Sequence, residues 1–214
     1  MTLKHQELND QVYQAIESLI LEGALKPGDR IYQDQLSEQL GVSRISLLKA
    51  LQRLESELLV EKRPRSGVFV RKVEAQELVD AFESRVGIES VAVRLAAERI
   101  TASEVQQLRD LFVPFTDEPE HGDIRDFTRA DREFHKAIIR LSGNAILRKF
   151  DMVANLLYLM FQHFEYAIAV PLQEHYRIID ALEIHDASLA EQLMREHITN
   201  NTLKVSQDAI MIAG

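Results

Sequence analysis

Four side chains in the second half of the chain are of the types that bind transition metals, namely Asp131, His135, His175 and His197. Asp131 and His135 are four residues apart, so a helix would place both on one face. One carboxylate and three imidazoles are suitable ligands for Zn²⁺, Ni²⁺ or Mn²⁺. Histidines in a helical bundle are more often packing or surface residues, and spacing alone leaves that interpretation open. A metal site therefore requires a fold that brings separate helices together.

The elements that would carry these residues are predicted to be helices. From Val73 onward the apolar residues recur with helical spacing, and no strand pattern or repeat interrupts them. Ser142-Gly143-Asn144 is predicted to end one helix and cap the next, and Pro171 lies in the favoured first turn of another. This indicates an all-α bundle that begins near residues 72–75. Its six predicted helices span about 75–100, 102–116, 124–142, 145–166, 171–184 and 187–211.

The segment from Leu36 to Val70 begins with the pattern of two short helices joined by a tight turn. Gly41 lies at the turn, where the backbone needs a positive φ, and Ser43 can cap the second helix. A basic helix packed across a first helix fits the major groove of DNA. The candidate DNA contacts at the start and on the polar positions of this helix are Ser43, Arg44, Lys49 and Arg53.

Two β-prone runs, 58–60 and 68–70, follow and enclose a basic turn. Arg63, Arg65 and Gly67 in this turn suit contacts with phosphates or with a minor groove. A small helical subdomain with a hairpin need not bind DNA, but the whole combination is more specific than any of its parts. We therefore predict a mainly α protein, with a winged helix-turn-helix over residues 1–73 and a helical domain over residues 74–214.

The net charge of −9 is distributed unevenly. Residues 41–72 carry eight Lys/Arg and three Asp/Glu, a balance of +5, whereas residues 73–214 carry fourteen and twenty-four, a balance of −10. Salt screens charges beyond roughly 10 Å at 0.1 M, so phosphate attraction is a local property. A basic module on an acidic body can thus bind DNA.

The composition also bears on location and chemistry. The chain has no cysteine, so neither disulfides nor thiolate chemistry is expected. No apolar run is long enough to span a bilayer, and the first residues do not resemble a signal peptide. We expect a cytoplasmic protein without membrane association.

The N-terminal segment resembles the winged helix-turn-helix of the GntR family of bacterial transcription regulators. The resemblance runs from about residue 8 to 72 and rests on Leu25-Lys26-Pro27-Gly28, Leu36-Ser37-Glu38, Gly41-Val42-Ser43-Arg44, Ala50-Leu51, Arg53-Leu54-Glu55 and Gly67. Where the family usually has Thr-Pro-Val-Arg-Glu, this chain has Ile45-Ser46-Leu47-Leu48-Lys49. An arginine that many members direct at DNA is thus Leu48, and Leu58 stands where glycine is usual. The resemblance implies the fold and DNA binding, but not the operator sequence.

Residues 75–210 resemble the all-helical ligand-binding domain, called FCD, of the FadR-like branch of that family. The matching segments are Asp131-Arg132-Glu133-Phe134-His135, Ser142-Gly143-Asn144, Glu174-His175 with Ile178, Ala181 and Leu182, and Met194-Arg195-Glu196-His197-Ile198. In such domains one aspartate and three histidines form a metal site, and the resemblance implies this role for Asp131, His135, His175 and His197. His121, His163 and His185 match no ligand of the family. Six predicted helices rather than seven indicate the smaller, VanR-like version.

The first long helix of this domain contains Arg85 and Glu89, in a stretch that resembles another part of the family pattern. A pair four residues apart could be a plain surface ion pair. Alternatively, Arg85 points inward and its planar fork of donors binds the carboxylate of a small effector. Asn144 is a second candidate effector contact, although it could instead only cap its helix. Tyr158 and Tyr166 could line a pocket or belong to the core.

These features together predict a homodimeric repressor that binds a palindromic operator in double-stranded DNA. A small organic acid, bound at or near a divalent metal, would control it. One short recognition helix buries too little surface to specify a site alone, which favours a dimer. A metal-dependent hydrolase is an alternative, because such a site with open positions can activate water. A purely structural metal is another. No motif supplies a general base for the hydrolase, and the DNA-binding module would be left unexplained.

Overall fold

The computed structural model describes residues 3–116, 122–150 and 169–212, with side chains throughout except at residues 3–7, 75, 78, 169 and 202–212. The chain divides into two compact units, Met1–Val73 and Glu74–Gly214. The predicted fold class, mainly α with an N-terminal winged helix-turn-helix, is confirmed. Within the described residues, no helix combines the length and apolar character needed to cross a bilayer.

The first unit is a small helical core with a three-stranded wing. Helix α1 packs against α3, and Ile16, Ile20, Leu47 and Leu54 from these two helices are completely buried. Burial of these apolar side chains holds the inner face of α3 against α1, and the outer face of α3 stays in solvent. The elements of this unit are α1 (Leu3–Leu21), β1 (Arg30–Ile31), α2 (Gln33–Gln39), α3 (Arg44–Ser56), β2 (Val60–Arg63) and β3 (Gly67–Val70).

The turn between α2 and α3 forms as the sequence predicts. Gly41 has a φ of 63°, which a residue with a Cβ rarely adopts. Ser43 accepts a hydrogen bond through Oγ from the Ser46 backbone N–H at 3.1 Å, so it caps α3. The cap and the glycine together set where α3 begins and how it crosses α2.

The wing differs from the prediction in two ways: it has an additional strand, and its second strand begins later. Its strand order is β1-β3-β2, with all pairs antiparallel, and the two-residue strand β1 carries too little sequence pattern to be foreseen. The second strand begins at Val60 rather than residue 58, because Leu58 follows the end of α3 with a φ of 61°. A left-handed backbone is costly for a residue with a Cβ, which explains why glycine suits this position better.

The second unit consists of helices joined by short turns, with no strand in its described residues. Helices α4 and α8 form its largest contact, and α6 and α7 pack on them. Its core contains Phe82, Phe112, Phe127 and Phe134, each at most 1% exposed. The described elements are α4 (Ala75–Ala97), α5 (Ala102–Asp110), a 3₁₀ turn (Val113–Phe115), α6 (Ile124–Leu141), a 3₁₀ turn (Leu147–Phe150), α7 (Ala169–Glu183) and α8 (Ala187–Ile212).

Most predicted helix ends in this unit are close to the observed ones, and two are not. The helix predicted over 102–116 ends at Asp110 and continues as a 3₁₀ turn, which contains Pro114. Proline lacks the N–H that would extend an α-helix. The helix predicted over 145–166 begins instead as a 3₁₀ turn at Leu147, and its remainder lies outside the described residues.

Candidate metal centre and DNA-binding surface

The four predicted metal ligands converge at one point in the helical unit. Asp131 and His135 come from α6, His175 from α7 and His197 from α8, and one ligand atom of each lies within 4.8 Å of all the others. The three imidazoles are at most 1% exposed. Asp131 keeps 22% of its side chain accessible and forms the solvent-facing side of the cluster. Helix packing thus brings together Asp131 and His197, which are 66 residues apart in the sequence.

The spacing between the ligand atoms fits a metal ion. His175 Nε2 lies 3.2 Å and His135 Nε2 lies 3.6 Å from Asp131 Oδ1. His197 Nε2 lies 3.3 Å from His135 Nε2. Ligands at about 2.1 Å from an ion lie roughly 3.4 Å apart in a tetrahedron and roughly 3.0 Å apart at adjacent octahedral positions. The three separations above match these values, whereas the full span of up to 4.8 Å must contract for all four atoms to coordinate one ion.

A buried carboxylate orients His135. Glu89 Oε2 lies 2.5 Å from His135 Nδ1, and Glu89 Oε1 accepts a hydrogen bond from Arg85 Nε at 2.5 Å. Burial alone would raise the pKa of Glu89, but Arg85 and His135 outweigh it and lower that pKa to about 2. The ionised carboxylate holds the proton of His135 on Nδ1, so Nε2 presents its lone pair to the cluster.

A second carboxylate orients His197 in the same way. Glu174 Oε2 lies 2.8 Å from His197 Nδ1, and Glu174 Oε1 accepts a hydrogen bond from Asn200 Nδ2 at 2.9 Å. His197 Nε2 then faces His135 Nε2, and in this tautomer both atoms carry lone pairs. Two acceptors that face each other in a buried site favour a cation or a proton between them, and Asn201 Nδ2 also lies 3.5 Å from His197 Nε2.

His175 has no such support, and its surroundings also indicate an additional ligand. By hydrogen-bond geometry neither ring nitrogen is paired within the described residues, although Nε2 lies 3.2 Å from Asp131 Oδ1 and the ring is fully buried. The ring stacks on Phe112, with centroids 4.6 Å apart, and lies 4.7 Å from the ring of Phe134. Burial and then the neighbouring His197 lower the pKa of His175 to about 3, so its imidazole is neutral and able to coordinate.

The charges of the site suit a divalent ion. Asp131, Glu89 and Glu174 contribute three negative charges when ionised, and Arg85 contributes one positive charge, which leaves −2 when the imidazoles are neutral. Buried charge is costly unless it is compensated. The sequence prediction missed the roles of Glu89 and Glu174. Their signals were the spacing of Glu89 one turn after Arg85 and the position of Glu174 beside His175.

Arg85 and Asn144, the two predicted effector contacts, lie in different environments. Arg85 is 5% exposed, so the interpretation as a surface ion pair with Glu89 is wrong. It lines a small cavity of about 10 Å³ together with Asp131, His135 and His197. Asn144 does not line this cavity: its Oδ1 accepts hydrogen bonds from the N–H groups of residues 146 and 147, at 2.9 and 3.3 Å. The geometry therefore places Asn144 in a cap, and its contact with an effector stays a prediction.

Several other residues singled out in the sequence fall elsewhere. His185 lies outside the cluster, and its Nδ1 is 2.7 Å from the backbone oxygen of Ala97. His121, His163, Tyr158 and Tyr166 are outside the described residues.

On the N-terminal unit, Arg44 and Lys49 are exposed on α3, as a groove-facing helix requires. Arg44 is the first residue of α3, and its guanidinium pairs with Asp34 of α2, with both side chains 70% exposed. Such an exposed pair contributes little to stability, so Arg44 can exchange Asp34 for a phosphate or a base at small cost. Ser43 lies beside it and is occupied as the cap of α3.

The structure places Arg53, a predicted DNA contact, against α1, with 49% of its side chain exposed. Its guanidinium lies over the Tyr13 ring, 3.8 Å from the centroid, and Nη1 and Nε donate hydrogen bonds to Asp10 and Glu57, both at 3.0 Å. Arg53 thus connects α3 to α1 at the edge of the packed face. The helical period placed it among the polar positions of α3, but it could not reveal which neighbouring helix covers that edge.

The wing carries its basic residues in solvent. Arg63 hydrogen-bonds Glu61 through Nε at 2.8 Å and lies 4.3 Å from the centroid of Phe69. Arg65 is exposed between the strands with a φ of 60°, and Gly67 has a φ of 111°. A Cβ on Gly67 would lie 3.4 Å from Arg30 Nε, so this glycine lets the exposed Arg30 lie against the wing. Arg30 is a basic residue of this surface that the sequence prediction missed.

Comparison with known proteins gives the same two-part organisation. Residues 8–70 match the family described as bacterial regulatory proteins, gntR family, and residues 80–200 match the FCD domain. The Nta operon transcriptional regulator of Aminobacter aminovorans is 39% identical over 126 residues, which are 58% of this chain and 59% of that protein. A probable D-xylose utilization operon transcriptional repressor of Paenarthrobacter nicotinovorans is 29% identical over 191 residues, 88% of this chain and 84% of that protein. The structure of E. coli McbR/YncC superimposes with a TM-score of 0.78 at 26% identity, and covers 94% of this chain and 98% of its own.

These matches confirm the family resemblance, and they remove the hydrolase alternative because the family and the related proteins are regulators. The FCD match, residues 80–200, spans more than half of the chain, and the gntR match covers the winged helix-turn-helix. The chain belongs to the GntR family of bacterial regulatory proteins, in its FadR-like branch with an FCD domain, and is a DNA-binding transcriptional regulator rather than an enzyme.

Proposed function

We propose that this regulator is a homodimeric repressor whose affinity for DNA is controlled by a small carboxylate, bound beside a divalent transition metal in the FCD domain. The observation that carries the proposal is the convergence of Asp131, His135, His175 and His197, from three helices, around a point lined also by Arg85. Zn²⁺, Ni²⁺ and Mn²⁺ all accept this ligand set. The related protein named a repressor supports the direction of regulation.

The four side chains would leave coordination positions open on an ion that accepts five or six ligands. A carboxylate that occupied such a position would meet the guanidinium of Arg85, which lines the same cavity. The planar fork of an arginine binds a carboxylate through two parallel hydrogen bonds. Metal and arginine together therefore select an organic acid over a neutral compound.

The cavity is too small for an organic acid in the described conformation. Its volume of about 10 Å³ corresponds to one water molecule. An organic acid would therefore extend out of the cavity or displace neighbouring side chains, among which Phe82, Phe127 and Thr128 line the cavity. A ligand that binds one arrangement of helices better than another shifts the equilibrium between them, and this is how binding would reach the DNA-binding units.

Glu89 would couple the metal to the carboxylate. It contacts His135 through one oxygen and Arg85 through the other, so a change at either partner alters the charge that the other experiences. Such coupling is reciprocal: if the metal tightens carboxylate binding, the carboxylate tightens metal binding by the same factor.

The size of the DNA-reading element supports a dimer and a palindromic operator. Helix α3 has 13 residues, and only its outer face is available to a groove. One such helix contacts too few base pairs to specify a site, and two-fold proteins reach specificity by reading two half-sites one helical turn apart. We propose that two chains present two α3 helices in this way.

A purely structural metal is the alternative that an experiment must exclude. Melting temperatures of the full chain should be measured without additions, with Zn²⁺, with citrate and with both. We expect Zn²⁺ to raise the melting temperature and citrate to raise it further only when Zn²⁺ is present, because a ligand of the native state stabilises it. An effect of Zn²⁺ with no additional effect of citrate or of other carboxylates would support the structural metal instead.

Replacing Arg44 with alanine should weaken binding to an operator duplex by about 1–3 kcal/mol if Arg44 contacts a base. The reason is its place at the first turn of α3, with only an exposed partner in the free protein. A phosphate contact would instead weaken binding to all duplexes about equally. Fluorescence anisotropy with a specific and an unrelated duplex distinguishes these outcomes.

Arg53→Ala is the matched control for this experiment. Because Arg53 packs on Tyr13, its loss should lower the melting temperature and leave DNA affinity nearly unchanged. Unchanged affinity and salt dependence of the Arg44 variant would remove Arg44 from the contact surface.

Replacing Arg63 and Arg65 with glutamine should reduce the slope of log K against log[salt]. Each side chain that neutralises a phosphate contributes about 0.9 to this slope, because it releases counterions on binding. The slope should be measured between about 50 and 200 mM salt, because DNA affinity falls steeply with salt concentration in this range. An identical slope in parent and variant would mean that the wing points away from the DNA.

A further inference from the structure

Helix α3 exposes two large apolar side chains where only polar ones would be expected. Ile45 is 69% exposed and Leu48 is 50% exposed, and they lie three residues apart, within the first turns of the helix. Residues three apart on a helix are neighbours on its surface, so the two form a continuous apolar patch. Lys49, four residues after Ile45, borders this patch.

The patch is not part of the core of its unit. Helix α3 buries Leu47, Ala50, Leu51 and Leu54, which lie on the opposite face of the helix from the exposed pair. A single exposed apolar residue needs no explanation, but two neighbours at the start of a helix beside Arg44 and Lys49 form a surface with a mixed character. It is apolar in the middle and cationic at its borders.

That character matches one feature of the DNA major groove. Phosphates line the groove and attract the cationic border, and the thymine C5-methyl is the apolar group that base pairs present there. We propose that Ile45 and Leu48 contact thymine methyl groups and so make the operator preference of this regulator depend on thymine at those positions. This inference rests on the proposed role of α3 as the element that enters the groove.

The test uses a duplex selected by the full chain from a random DNA pool. Each thymine in the selected sequence is then replaced singly by deoxyuridine, which lacks only the methyl group and keeps every hydrogen-bonding group. At one or more positions in each half-site, the replacement should weaken binding about 3- to 10-fold. This is the effect expected for the loss of one or two buried methyl or methylene contacts. The double variant Ile45→Ala/Leu48→Ala should lose this sensitivity and bind the thymine and deoxyuridine duplexes equally.

Ile184→Ala is the matched control, because Ile184 is 68% exposed and belongs to the helical unit. It should retain the full sensitivity to deoxyuridine. Equal binding of thymine and deoxyuridine duplexes by the parent would overturn the inference while leaving DNA binding intact. Equal sensitivity in parent and double variant would also overturn it, because another side chain would then contact the methyl groups. If selection yields no preferred duplex, the role of α3 fails together with the inference.

Discussion

Replacing His197 with alanine should greatly weaken metal binding by the FCD domain and remove nearly all of the metal-dependent rise in melting temperature. His197 supplies a ligand from α8, whereas Asp131 and His135 come from α6 and His175 from α7. Its loss therefore disconnects the last helix from the ion. The remaining three ligands still face one another, but the ion no longer connects all three helices, and both affinity and stabilisation should fall.

The measurement is metal analysis of purified protein after incubation with zinc, nickel and manganese, combined with thermal melts with and without metal. His185→Ala is the control, since His185 belongs to the same unit and lies outside the cluster. It should bind one ion per chain and keep the full metal-dependent shift, even if its own melting temperature is lower. Equal metal content in the parent and the His197 variant would contradict the site.

The metal-dependent shift should also decline as the pH falls. Burial lowers the pKa of His135, but Glu89 outweighs it and the net pKa is raised above the ordinary histidine value. In the metal-free protein this raised pKa contributes stability that is fully present below the unfolded-state pKa and is lost as the pH rises through the folded-state pKa. A metal requires His135 without its second proton, so its stabilisation has the opposite dependence. Both effects reduce the difference between metal-bound and metal-free protein at low pH.

Replacing Arg85 with methionine should lower the free energy of unfolding by about 3–5 kcal/mol, the cost of leaving one partner of a buried ion pair uncompensated. The Arg85 side chain is 7% exposed and that of Glu89 is 2% exposed, so water can do little to replace the lost charge. Methionine preserves most of the apolar volume, which isolates the charge effect. Urea denaturation of the metal-free proteins measures the difference.

The double variant Arg85→Met/Glu89→Gln completes this comparison. Removing the negative charge as well should recover much of the lost stability, because neither member of this pair then remains as an unpaired buried charge. A cost below about 1 kcal/mol for Arg85→Met alone would be typical of a surface pair and would contradict the buried arrangement.

The sequence predicts the parts of this fold that local chemistry determines. Ser43 and Gly41 mark the turn because few residue types cap a helix or adopt a positive φ. The helical period correctly places Leu47 and Leu54 in the core. Strand β1 was not predicted, since a two-residue strand exists only through its pairing with β3. The position of Arg53 against Tyr13 likewise depends on how α1 crosses α3, which no local pattern contains.

The site was predicted through its ligands and not through their supports. Asp131 and His135 share a helix face at a spacing that sequence reveals directly. Glu89, by contrast, precedes His135 by 46 residues, and only the packing of α4 against α6 brings the two within hydrogen-bond distance. The Asn144 amide could contact an effector or cap a helix, and the sequence does not distinguish the two roles. In the structure its Oδ1 accepts a hydrogen bond from a backbone N–H, as a cap does.

The most direct test of the proposed regulation is the affinity of the full chain for its selected duplex, measured with and without Zn²⁺ across a panel of carboxylates from formate to citrate. The proposal predicts that at least one carboxylate changes this affinity in the zinc-loaded protein and has no effect on the metal-free protein. Arg85→Lys, which keeps the charge but loses the planar fork, should bind zinc and lose most of that response. DNA affinities that stay the same for every carboxylate, with zinc and without it, would contradict the account.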